Sequence, residues 1–170
     1  MIKLKNILNE VTDITEDDLL KKSSEEIIDS FEYGTQGFNT KEDAIEYLDE
    51  LKEESFPDGL INIPSEMTLY RVVLIQRGKK IDEKEIGQHF VAYKELVTSD
   101  DFLEDIGVLD WIDEESQLWL LTCKVPKSNL DLHETVRNRL MFPQEEEFTL
   151  KSPQGIRVVN KEQVDISDYL

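Results

Sequence analysis

An α+β fold is expected, with helices first and an antiparallel sheet afterwards, and three observations predict it. Residues 1–60 repeat apolar side chains at three- and four-residue spacing between acidic positions, the mark of amphipathic helix. From Met67 onward the chain turns to runs rich in β-branched and aromatic residues. Gly34, Gly37, Pro57 and Gly59 cluster ahead of that change. Helical runs followed by strand runs argue against alternating βαβ units. At 170 residues the chain suits one domain with a small helical extension. A domain of this size buries roughly 70% of its unfolded surface and needs no disulfide or metal staple. The expected organisation is an acidic helical region over 1–60 and a sheet-bearing core over 61–170.

The elements follow in order. Thr15 precedes an acidic first turn and then Leu19 and Leu20. Ser24 precedes Glu25, Glu26 and the pair Ile27 and Ile28. Thr40 precedes a run in which Ala44, Ile45, Leu48 and Leu51 share one face. These predict two or three short helices with acidic outer faces. MTLYRVVLIQ from Met67 reads as a strand, and IGQHFVAY from Ile86 as a second, short one. The stretch Ser99–Glu115 reads as a mixed segment, one helical turn inside a long acidic loop. LWLLTCKVP is a buried strand stopped by Pro126, and DLHETVRNRL a helix capped by Asp131. EEFTL and GIRVV close the core as two strands separated by Ser152, Pro153 and Gly155.

Charge narrows the function classes. Acidic side chains number 38 against 19 basic, a formal net charge of −19, and more than half of it falls in residues 1–60. Such a field repels phosphate backbones and anionic lipid headgroups, so neither nucleic acid nor membrane is an expected partner. No apolar run approaches the length of a bilayer span, and the first residues lack a secretory signal. A lone cysteine, Cys123, has no internal partner, suits a reducing compartment, and at mid-strand reads as a small buried hydrophobe. There is no glycine-rich phosphate loop and no G-x-S-x-G elbow. His89 and His133 stand far apart without metal-ligand spacing, so no metal is expected. Carboxylates and arginines remain as the chemical candidates.

Three segments in order carry a resemblance: LYRVV from Leu69, IGQHFVAY from Ile86 and FPQEEEFTL from Phe142. An aromatic–arginine pair on a first strand, a Gly-x-His-aromatic segment and a Glu-x-Glu ahead of a late strand together resemble the mono-ADP-ribosyltransferases of the Arg/Ser/Glu class. KVPKSNLDLHETVRNRL is similar to the segment before the Glu-x-Glu strand in phage-type members. The resemblance covers Met67 to Val159 and implies a split β-sandwich core of two small sheets. It implies transfer of ADP-ribose from NAD, the substrate that takes the cofactor's place, to a protein of a host bacterium, with arginine as the acceptor. Glu147 matches the catalytic glutamate, which steadies the oxocarbenium-like ribose, and Glu145 the companion that handles the acceptor. Arg71, preceded by Tyr70, matches the arginine that grips the NAD phosphate. On a strand, residues two apart project from one face, so Glu145 and Glu147 are expected side by side.

The middle segment departs from the family. Val91 stands where the family places the serine that anchors the nicotinamide ribose, and valine has no hydroxyl to offer. Tyr93 and Gln88 are the neighbouring donors available to compensate. His89 reads either as a nucleotide contact or as a half-buried strand histidine with one hydrogen bond, and His133 as a surface residue at a helix start. Trp119 reads as core. Trp111 either plugs a satellite cluster, the preferred reading, or covers the nicotinamide pocket.

Two rival functions keep the same residues. With water as acceptor the site is an NAD glycohydrolase; without chemistry the chain is a virion or host-interaction protein whose acidic surface binds a basic target. MIKLKNILNE resembles the leaders that direct internal proteins into phage proheads and are cut after a glutamate, here Glu10. The preferred reading of this segment is an ordinary first helix with Ile2, Leu4, Ile7 and Leu8 on its apolar face. The resemblance places the protein in the host cytoplasm, with packaging in a virion if the leader reading holds. The sequence sets no oligomeric state.

Overall fold

The computed structural model describes residues 14–31 and 35–169. The leader or first helix expected over residues 1–10 lies outside the described residues. The chain is mixed α+β, with antiparallel sheets and several helices. Three short helices come first: α1 (Glu16–Lys21), α2 (Ser24–Asp29) and α3 (Lys41–Glu53). Helices this short are marginal alone, and each opens with a capping box that satisfies its first amides: Thr15 with Asp18, Ser23 with Glu26, Thr40 with Asp43. The cap of α2 is Ser23, one residue before the expected Ser24. Ser24 is buried instead, and its hydroxyl donates to Asp49 of α3.

Strands β1 (Glu66–Gln76), β3 (Ser116–Pro126) and β5 (Arg157–Val164) form one antiparallel sheet in the order β1-β3-β5. β1 and β3 pair over all eleven residues, from Glu66 opposite Pro126 to Gln76 opposite Ser116. β2 (His89–Phe90) and β4 (Phe148–Thr149) form a second, two-stranded antiparallel sheet. Between the strands lie α4 (Lys94–Val97), α5 (Asp100–Asp105) and α6 (Leu132–Met141), the last capped by Asp131 as expected.

Two expectations change. The strand predicted over IGQHFVAY shrinks to His89–Phe90, because Gly87 takes a left-handed conformation before it and the chain enters α4 right after Tyr93. The acidic stretch after Ser99 is mostly helical, comprising α5 and a 3-10 turn at Leu109–Trp111. Ser99 caps it, since its side chain accepts the Phe102 amide, and Phe102 and Leu103 are buried. Helical spacing of those two apolar residues was too brief to outweigh the surrounding acids.

Side-chain alternation in the large sheet sorts the core into two clusters. Met67 and Leu69 of β1 join Leu121, Cys123 and Val125 of β3 in the larger one. Leu19, Ile27, Ile28, Ala44, Leu48 and Leu51 of α1–α3 enter the same cluster, as do Val136 and Leu140 of α6. Val72, Leu118 and Leu120 face the other way, against Val97, Phe102, Leu103 and Ile166. Cys123 is fully buried mid-strand, and burial pushes its thiol up to about 12, which leaves it unreactive. His133 departs from its surface reading: its ring packs on Phe31 with centroids 4.9 Å apart. Among the described residues no helix is long and apolar enough to cross a membrane.

Leu121 sits at 0% exposure opposite Arg71 in the central strand, so its truncation opens a cavity in the larger cluster. Leu121→Ala is expected to cost about 2–5 kcal/mol, read as a lowered urea midpoint at unchanged slope.

Candidate functional site

β1 is an edge strand of its sheet, and its outer side meets the small sheet at one isolated bridge. Tyr70 donates to the Val91 carbonyl at 2.7 Å, and Val91 donates back to Tyr70 at 3.0 Å. Beyond that bridge the edge runs on from Val72 to Ile75 along a cavity of about 570 Å³. Ile81 and Ile86 line one side, and Val97, Phe102 and the 106–108 turn the other. A cavity of this size, with apolar side chains and charged groups both on its wall, suits a small organic ligand that carries polar groups.

The cavity's charged and titratable groups are Arg71, His89 and Glu147, which line it together with Tyr70 and Val91, and Lys80, Asp82 and Glu85 from the turn after β1. Five of the six residues expected at a site are thus gathered in one place. Arg71 follows Leu69 on the larger-cluster face of β1, at the point where the core gives way to the cavity. Its Nη1 donates to the His89 carbonyl, its guanidinium lies 5.7 Å from the Phe90 ring, and its buried Nε has no partner among the described residues. Burial pulls its pKa down, and Glu147 opposes that shift. Gly87 makes room for it: with φ at +84°, a Cβ here would stand 2.7 Å from Arg71 Nη2. An orphaned guanidinium N–H beside a cavity is a donor for an anionic or polar ligand.

Glu147 reaches the cavity from the chain just before β4. Its carboxylate is 3.1 Å from His89 Nδ1, with side-chain exposures of 16% for Glu147 and 45% for His89. His89 pairs with Thr149 across the small sheet, and Glu147 stands two residues ahead of Thr149, just before the strand begins. Val91 and Glu147 flank the Phe90–Phe148 pair, and both line the cavity. The hydrogen bond to Glu147 raises the His89 pKa, against burial and Arg71. The donors expected to compensate for Val91 are engaged elsewhere. Tyr93 donates to Asp58, and the Gln88 amide to the Lys151 carbonyl at 3.0 Å.

Glu145 and Glu147 do not share a strand face. Glu145 ends a 3-10 turn at Pro143–Glu145, Glu146 is left-handed at φ 48°, and only then does the chain extend into β4. Strand alternation therefore does not apply, and Glu145 does not line the cavity. It remains near enough to feel it: burial, then Glu147, then Asp105 of α5 push its carboxyl up to about 7.

Arg139, which the sequence does not single out, builds this turn. It is 2% exposed on α6. Its Nε donates to the Glu147 carbonyl at 3.2 Å and its Nη2 to the Glu146 carbonyl at 3.0 Å. The guanidinium also stacks 4.5 Å from the Phe148 ring centroid. Its position on the buried face of a helix was a usable signal, since an arginine there must find acceptors.

Trp111 corrects its plug reading. It is 76% exposed on the 3-10 turn after α5 and lines the cavity mouth. Trp119 is partly buried against the larger cluster. Among the described residues no group of three or more His, Cys, Asp or Glu is placed to hold a metal ion.

Two outcomes follow. Folding carries Glu145 from an ordinary value of 4.5 to about 7, so the folded chain holds an extra proton between them. This group's contribution to stability therefore falls as pH rises through that window. Glu145→Gln is expected to raise Tm above about pH 8 and to leave it unchanged below about pH 4. Gly87→Ala forces a side chain into the left-handed region against Arg71, and should cost at least about 1–2 kcal/mol in thermal melts.

Set against protein-family models, curated proteins and solved structures, the chain matches none of them.

Proposed function

We propose that the chain is a mono-ADP-ribosyltransferase that moves ADP-ribose from NAD to a protein, with arginine as acceptor. The observation that carries this reading is the convergence of Arg71, His89 and Glu147 on one cavity beside the free edge of β1. Two small antiparallel sheets joined by the Tyr70–Val91 bridge support the split β-sandwich core that the reading needs.

Loss of nicotinamide breaks the bond between its ring nitrogen and the ribose anomeric carbon, and leaves an oxocarbenium-like sugar. Glu147 faces that carbon as a carboxylate. At about 4 Å and an effective dielectric near 20 the attraction is roughly 4 kcal/mol. Realised only in the transition state, that is about a thousandfold in rate. Arg71, with its Nε free, holds a phosphate oxygen of the dinucleotide. The edge amides and carbonyls of β1 match a carboxamide's donors and acceptor, and Trp111 at the mouth offers a ring face. The acceptor guanidinium nitrogen then attacks the anomeric carbon, and its proton passes to Glu145, whose pKa of about 7 suits a base at neutral pH.

Val91 favours a second reading, in which the cavity binds the nucleotide without transfer and the acidic surface engages a basic host protein. Incubation with labelled NAD and a bacterial lysate separates them. The transferase labels a discrete protein band, and Glu147→Gln reduces the label about a thousandfold. Free ADP-ribose without a band makes it a glycohydrolase; no turnover leaves the binding reading. In each reading that binds NAD, the dinucleotide at about a hundredfold over its Kd should stabilise the fold by about 2.7 kcal/mol, and Arg71→Ala should remove that shift.

A further inference from the structure

We propose that His89 is a positioning residue for Glu147, supplying from the neighbouring strand position the hydrogen bond that Val91 cannot give. The inference rests on the reading of Glu147 as the acting carboxylate, and the geometry behind it is independent of NAD. An unheld glutamate rotates about three side-chain bonds, and one at a cavity wall needs a donor to fix which oxygen faces the ligand. Val91 is buried and apolar, while Tyr93 and Gln88 are committed to Asp58 and Lys151. His89 Nδ1, 3.1 Å from Glu147 Oε2, is the side-chain donor on that carboxylate among the described residues.

His89 is itself held at three points. Its carbonyl accepts from Arg71 Nη1, so the strand cannot slide relative to β1 without disturbing the arginine. Its residue pairs with Thr149 across the small sheet. Thr149 Oγ1 lies 3.5 Å from the ring Nδ1 and accepts from Asn138 Nδ2 of α6 at 3.0 Å. The charged groups facing the ring are Glu147 and Glu145 from the turn ahead of β4 and Arg71 from β1. The two carboxylates favour the protonated ring and Arg71 disfavours it, with Glu147 dominant because it alone also hydrogen-bonds. Because the neutral ring can also carry its proton on Nδ1, the bond survives deprotonation and serves to orient.

The chemistry of substitution separates this role from a direct contact with substrate. Asparagine places its amide nitrogen where Nδ1 stands, whereas alanine leaves the carboxylate free. His89→Ala is expected to lower kcat for nicotinamide release about a hundredfold, with KM for NAD nearly unchanged. His89→Asn is expected to recover most of that loss. A rise in KM with kcat retained, or no recovery in His89→Asn, would overturn the proposal in favour of a ligand contact. Histidine NMR titration tests the pair without NAD, with His133 as internal control. The His89 pKa should lie above 6.5 in the wild type and fall in Glu147→Gln. An unchanged His89 titration refutes the pairing even in an active enzyme. A fallen one upholds it even if labelled NAD shows that the chain transfers nothing.

Discussion

The eleven-residue pairing of β1 with β3 is the constraint on which the remaining structure hangs. A register slip of one residue would exchange the faces of every side chain on the strand. Met67 and Leu69 would leave the cluster they share with the N-terminal helices, and Arg71 would turn away from the cavity. The apolar alternation that fixes the fold thus also aims the one guanidinium that the cavity contains. The same strand lies at the sheet's edge, so its outer side is open to the small sheet at Tyr70 and to the cavity beyond. Core and site are two sides of one ladder.

Arg139 solves a different problem. A Glu-Glu-Glu run repels itself and resists a tight turn, yet here it passes through a left-handed residue in front of a buried strand. Arg139 accounts for that: a buried cation bonded to two successive main-chain carbonyls fixes the backbone of the turn and leaves the Glu147 carboxylate to meet His89 at the cavity. A buried charge of this kind contributes little net stability, because desolvation offsets its attraction. What it secures is geometry. Gly37 packs against the same corner, where a Cβ would lie 2.6 Å from the Leu140 carbonyl and 2.7 Å from Pro143 Cδ. The acidic N-terminal region therefore supports the turn as well as the sheet.

Much of this was legible in the sequence, and the failures have a common cause. The long strands were readable because eleven residues of alternating apolar side chains leave little ambiguity, and the helix caps because Thr15, Thr40 and Asp131 precede acidic first turns. Arg71, Tyr70, His89, Val91 and Glu147 were picked out and meet at one cavity, since each sits next to an apolar anchor in a strand. The relation of Glu145 to Glu147 was misread, because two-residue spacing implies a common face only if the intervening residue is extended, and nothing local announces the left-handed Glu146. The His89–Glu147 pair joins segments distant in sequence, and Arg139 meets its carbonyls only because the chain turns back on α6 at Pro143–Glu145. Trp111 was misread for a related reason: an apolar residue in an acidic stretch is usually an anchor, and only the fold exposes it at a cavity mouth.

The cavity's single arginine has a consequence for how fast an anion arrives. The chain carries a net charge of −19, Arg139 has given its donors to main-chain carbonyls, and Asp82, Glu85 and Glu147 line the cavity too, so the positive potential there is confined to the neighbourhood of Arg71, Lys80 and His89. At distances beyond a Debye length, about 8 Å at physiological salt, an approaching anion feels mainly the repulsive remainder. Once inside, it feels the guanidinium in a medium that screens poorly. Salt then works in opposite senses on the two halves of the encounter, hastening entry by damping the outer field and hastening departure by weakening the inner contact. The balance of those two effects, rather than the net charge, sets how the occupancy of such a site responds to ionic strength.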